Sequence, residues 1–123
     1  AQMFGTQLIK ADMRGAHIQW ANLEGALLKE ANLAGANFLG AGMRKINLGD
    51  ADLTRADLRL IHLDEANLLG AELNRALVDS NWVLKLGEWH PSSVKEIQEG
   101  YSVITDTLDQ WKHNVYRLKK IEK

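Results

Sequence analysis

Ala21-Asn22-Leu23-Glu24-Gly25-Ala26-Leu27-Leu28-Lys29-Glu30 followed by Ala31-Asn32-Leu33-Ala34-Gly35-Ala36-Asn37-Phe38-Leu39-Gly40 is one five-residue unit written four times. The same unit runs in unbroken phase from residue 1 to residue 80, sixteen times over. Every central residue is apolar, from Met3 and Leu8 to Leu73 and Val78. Thirteen units open with Ala, and Thr6, Ile46 and Ile61 open the others. A repeat of this kind decides the architecture before any other feature is weighed.

The period excludes ordinary elements. On an α-helix, positions five apart advance by about 140°, so the apolar centres would spiral around the axis. On a straight strand an odd repeat sends successive centres to opposite faces. One core results only if the chain turns a corner in every unit. The opening Ala and the central Leu are two apart, so an extended segment points both inward. A corner must then reset the direction before the next Ala. Six of the ten glycines occupy the fifth position, where such a corner belongs.

Unit by unit, residues 1–80 resemble the pentapeptide repeat family, whose loose motif is A(D/N)LXX. The resemblance implies an all-β solenoid, a right-handed quadrilateral β-helix with four units per coil. Four coils at the usual strand spacing make a rod roughly 19 Å long. Residues twenty apart then stack. The expected core stacks contain Leu23, Leu28, Leu33, Phe38, Leu48, Leu53, Leu58, Leu63, Leu68 and Leu73. Ile46 and Ile61 either fill gaps left by neighbours or bulge the wall.

Outward positions are where function would lie. Asn or Asp takes the second place in half of the units, where ladders or turns are the expected use. Trp20, Leu39, Leu60 and Leu77 fall together on one face and form the candidate interface. Such a patch is covered by the chain's own tail, contacts a partner, or is simply exposed; tail cover is the first expectation.

The repeat stops at Ser80. Residues 81–92, with Trp82 and Trp89, read as the cap that a solenoid end requires. From Ser93 the period changes, and Ser93-Val94-Lys95-Glu96 matches a helix capping box. Val94, Ile97, Tyr101, Ile104, Leu108, Trp111, Val115 and Leu118 follow at heptad spacing. A C-terminal α-helical segment over 93–121 is therefore expected, continuous or broken near Gly100. Unbroken from Val94 to Leu118 it would be roughly 37 Å long, twice the rod. It must break near Gly100 and fold back, or project and pair with another chain, as a homodimer or with a partner's helix.

Net charge is −1, which provides no field for nucleic acid or an anionic membrane. The chain has no cysteine, which excludes disulfides and thiolate-bound metals and leans towards the cytoplasm. Its four histidines (His17, His62, His90 and His113) form no cluster with metal-ligand spacing. Phosphate-binding glycine loops and nucleophile elbows are absent from the sequence. The first residue lies in repeat phase without an initiator Met, as in a piece of something longer. The expectation is a bacterial, cytoplasmic, non-enzymatic scaffold or protein-interaction module, with no cofactor, small-molecule substrate, nucleic acid or membrane partner. Similarity to the gyrase-protecting members of the family implies a second reading, an acidic rod imitating DNA that dimerises through C-terminal helices. Here eight basic residues interrupt ten acidic ones over 1–80, which suits that role poorly. A third reading is a structural spacer within a longer protein.

Overall fold

The structure is a computed structural model, and it describes residues 7–79, 97, 99–106 and 115–121. Short parallel bridges join residues twenty apart, from Gln7 with Leu27 to Asp57 with Leu77. One coil is therefore four five-residue units, and the bridges form four columns. Every fifth residue from Lys10 to Arg75 has a φ between +56° and +77°. Nine of these fourteen corners are not glycine, among them Trp20, Leu60, Arg55 and Arg75. In most units the opening N–H closes the corner on the previous central C=O, as Ala31 does on Leu28 (3.0 Å). Positive φ at the third residue of such a turn is the type II pattern.

Left-handed φ costs a side-chain-bearing residue about 1–2 kcal/mol. The ladder between coils holds the corners in place despite this. The fifth residue's N–H donates to the fourth C=O of the next coil, as in Trp20 to Leu39 (2.8 Å). The third N–H donates to the next coil's second C=O, as in Leu33 to Asp52 (2.8 Å). The second N–H reaches back to the previous coil's opening C=O, as in Asn32 to Ala11 (2.9 Å). Three backbone bonds per unit thus run along the axis, and buried polar groups are paired.

The opening and central residues fill the interior. Leu23, Leu28, Leu33, Phe38, Leu48, Leu53, Leu58, Leu63, Leu68 and Leu73 are all buried, with Ala columns between them. Ile46 is fully buried in place of an Ala, and Ile61 packs half-buried against the same core. At the second position the carboxyl or amide oxygen turns back to the N–H two residues on. Asn37 accepts from Leu39 (3.0 Å) and Asp52 from Thr54 (3.0 Å). These side chains therefore serve the corners, as local Asx turns do.

The tail differs from the sequence expectation. β1 (Leu77–Asp79), β2 (Tyr101–Asp106) and β3 (Val115–Lys120) form an antiparallel sheet in the order β1-β3-β2. Helical backbone is confined, among the described residues, to Ile97, Glu99 and Gly100. The expected helix over 93–121 is corrected accordingly. Tyr101 and Ile104 lie in β2, and Val115 and Leu118 in β3, so no heptad seam runs through them. Val94, Leu108, Trp111 and the expected cap at 81–92 lie outside the described residues. Two causes favour strands. Val103-Ile104-Thr105 is β-branched and Val115-Tyr116 is β-branched then aromatic, poor helix formers and good strand formers. The last coil also offers an unpaired strand edge, which rewards a partner strand. β3 takes it, pairing Val78 with Tyr116 and Leu77 with Arg117.

Candidate functional site

Two regions depart from the regular wall. The first is the apolar face. Trp20 is a left-handed corner and is 67% exposed. One coil on, the same corner is Gly40, and the indole lies over it so closely that a Cβ there would collide with the ring. The next corner, Leu60, is 49% exposed. Leu39 and Leu77 are half-buried on the same side of the rod. The expectation that the tail covers this face is corrected at Trp20 and Leu60, which stay open to solvent. Among the described tail residues, contact comes only at its end, where β1 pairs with β3.

Polar groups border that face. Arg59 holds Asp57 in a two-pronged pair (2.9 and 2.8 Å), both side chains largely sheltered. Leu60 N–H, whose regular acceptor would be the C=O of residue 79, instead donates to the Asp79 carboxylate (2.7 Å). The corner is thereby satisfied by a side chain where the solenoid runs out.

The second region is the C-terminal end. The regular ladder would require a fifth coil to receive the N–H groups of the last one. The tail supplies substitutes. Leu73 N–H donates to the Tyr101 hydroxyl (2.9 Å), and Arg75 N–H to the Leu118 C=O (2.6 Å). Leu118 N–H donates to the Ala76 C=O (3.0 Å), as a following coil would. Lys120 N–H reaches the Asn74 side-chain oxygen (3.0 Å), and its ammonium pairs with Glu72 (2.9 Å). Leu118 and Ile97 are buried against the core, so described tail residues close its end. Burial is the main cause that raises the Tyr101 phenol above its ordinary value. The Glu72 hydrogen bond raises Lys120, and the Arg14 hydrogen bond lowers Asp12. Sequence reasoning missed Tyr101, Asn74 and Lys120 as end-fillers. Only Asp79, in phase at the last fourth position, carried a readable signal.

The wall is largely neutralised by its own pairs. Lys10 stands over Glu30 (3.6 Å), Arg44 over Glu24 (3.1 Å) and Lys45 over Glu65 (3.9 Å). Among the described residues, no group of three His, Cys, Asp or Glu could hold a metal ion, and no helix is long and apolar enough to cross a membrane.

The family model described as pentapeptide repeats (8 copies) matches residues 11–50 and 43–77, more than half of the chain. The chain belongs to the pentapeptide repeat family. No curated protein matches it. Among solved structures, it is similar to the pentapeptide repeat protein HetL of Nostoc sp. strain PCC 7120, involved in heterocyst differentiation regulation. That similarity is 36% identity over 61% of this chain and 37% of HetL, with a TM-score of 0.37. Rfr23 of Cyanothece 51142 is 29% identical over 65% of this chain and 54% of its own, with a TM-score of 0.37. The protein alr5209 of Nostoc PCC 7120 is 34% identical over 61% and 70%, with a TM-score of 0.31. This pentapeptide repeat chain thus spans well under two thirds of the first two structures it matches.

Proposed function

We propose that this pentapeptide repeat protein is a non-enzymatic protein-interaction module whose contact surface is the Trp20–Leu60 face. The observation carrying this reading is the exposed indole at a strained corner. Trp20 is 67% exposed, lies over a bare Gly40 and has an exposed Leu60 in the same column. A large aromatic held on a rigid wall is an efficient anchor, because little side-chain freedom is lost on binding. The surrounding coils provide rigidity, with their backbone groups paired along the axis.

A DNA-mimicking role has less support. Duplex DNA is densely and uniformly negative, whereas here arginines and lysines sit over acids in several columns. Affinity capture from cell extract distinguishes the readings when wild type, Trp20→Ala and Leu60→Glu are compared. A protein retained by wild type and lost from both variants supports the interaction face. The same set of proteins on all three columns removes it. Inhibition of DNA gyrase supercoiling by the wild-type chain would instead support the mimic.

A further inference from the structure

Among the described corners, Lys10 stands over Glu30 and Lys45 over Glu65. Two columns instead stack like charges, Glu30 with Asp50 and Arg55 with Arg75, and the second of these is the stacked cationic pair. Arg55 and Arg75 are one coil apart in the same column, both left-handed and exposed. Adjacent coils are about 4.8 Å apart, so the two stems emerge side by side. Among the described residues neither arginine has an ion pair. The acids on the same face are engaged elsewhere: Asp52 accepts the Thr54 N–H (3.0 Å), and Glu72 holds Lys120 (2.9 Å). The tail meets this corner. Arg117 donates to the Arg75 C=O (2.8 Å). Exposed Lys119 lies between Leu118, which accepts from Arg75, and Lys120, which donates to Asn74.

We propose that the Arg55–Arg75 corner, with Lys119 beside it, is a docking site for an acidic protein segment. Two guanidinium forks one strand spacing apart match carboxylates on an extended or turning peptide, which they can grip bidentately. The patch is short, and Asp52, Asp57 and Glu72 lie around it. A polyphosphate chain needs a long track of cations, so a basic patch this short favours a compact carboxylate cluster over nucleic acid. The proposal rests on the reading of the chain as a protein-interaction module, although it uses a different corner from Trp20.

Fluorescence anisotropy of a labelled glutamate-rich peptide tests it, using the full chain at low and high salt. An oligonucleotide of equal charge is titrated in parallel. The expected result is peptide binding that weakens with salt and falls at least about 10-fold in the double variant Arg55→Glu/Arg75→Glu. Folding of that variant is not at risk from the corner conformation, since Glu30 and Glu65 already occupy equivalent left-handed corners. Lys45→Glu, at the diagonally opposite corner, should leave binding unchanged. Absence of peptide binding at low salt would overturn the proposal, as would an equal loss in Lys45→Glu. Tighter binding of the oligonucleotide would overturn it in favour of a phosphate site. The titration can fail while Trp20-dependent capture succeeds, so the two readings stand or fall separately.

Discussion

Replacing Tyr101 by Phe isolates the hydroxyl that stands in for a missing coil. The half-buried ring is kept, so apolar burial is almost unchanged. What is lost is the acceptor for Leu73 N–H at 2.9 Å and the weaker bond to Glu72 at 3.3 Å. Leu73 is fully buried, and a buried donor left without an acceptor costs about 1–3 kcal/mol. The site lies at the end of the rod, where water can partly reach it, so about 1–2 kcal/mol is expected. Urea denaturation of wild type and Tyr101→Phe measures this as a lower midpoint with an unchanged slope. Amide hydrogen exchange localises it. Leu73 should exchange faster, while Leu33, bonded to the Asp52 C=O at 2.8 Å, should not. A pH series adds a sign. Burial raises the phenol of folded Tyr101 above its ordinary 10.0. The neutral form is thus favoured on folding, and its contribution is complete below that pH. It is lost as pH rises through the folded value. Tyr101→Phe should lack this alkaline loss. A stability change below about 0.3 kcal/mol, together with unchanged Leu73 exchange, would refute the end-filling role, because an unpaired buried N–H cannot be so cheap.

Phe38→Ala empties the largest fully buried side chain of the core and should cost about 3–5 kcal/mol in the same denaturation assay. Gly40→Ala adds a Cβ at a left-handed corner and pushes it into the Trp20 indole, so about 1–2 kcal/mol of strain is expected together with a shifted Trp20 fluorescence; combining it with Trp20→Ala should relieve the steric part and leave the backbone part. Asp12 is held below its ordinary 3.8 by Arg14, so its small contribution is present above that pH and fades as pH falls through the folded value. Carbon-detected NMR titration of Asp12 should show the lowered midpoint, and Arg14→Ala should return it towards 3.8.

The solenoid could be read from the sequence because each unit reports the same local fact. An apolar pair two apart and a corner residue between pairs leave only one way to form a core, and repetition removes the ambiguity. Stacking at a spacing of twenty then brings Arg55 over Arg75 and Glu24 over Arg44 by counting alone. The tail could not be read in that way. Val94 to Leu118 satisfies a heptad count, and Gly100 marks a place where a helix can end, as it does before β2, but neither signal says that strands follow. What decides the outcome is a distant partner, the free edge at Leu77–Asp79, with which β3 pairs. Long-range pairing of this kind leaves no local pattern, so the roles of Tyr101 and Leu118 emerge only in three dimensions. The candidate face was partly legible. The fifth position points Trp20 outward, whereas the bare Gly40 beneath it and the openness of Leu60 depend on packing between coils.

The substitution of tail atoms for a fifth coil has a consequence for how such a chain can vary in length. β3 and Tyr101 address Leu73, Arg75 and Ala76 through backbone positions that every coil possesses. The terminator therefore recognises a place in the unit rather than an address along the rod. Inserting or excising one whole coil upstream, such as residues 21–40, would present the tail with the same N–H and C=O groups. Length could then change in quanta of twenty residues, about 4.8 Å each, with the stop module unaltered. An insertion of five residues between Trp20 and Gly35 would keep every corner in phase and leave the last coil at Tyr101, but would set Gly35 rather than Gly40 under the indole. In this architecture a deletion is tolerated or ruinous according to its remainder on division by five, the spacing of the corners.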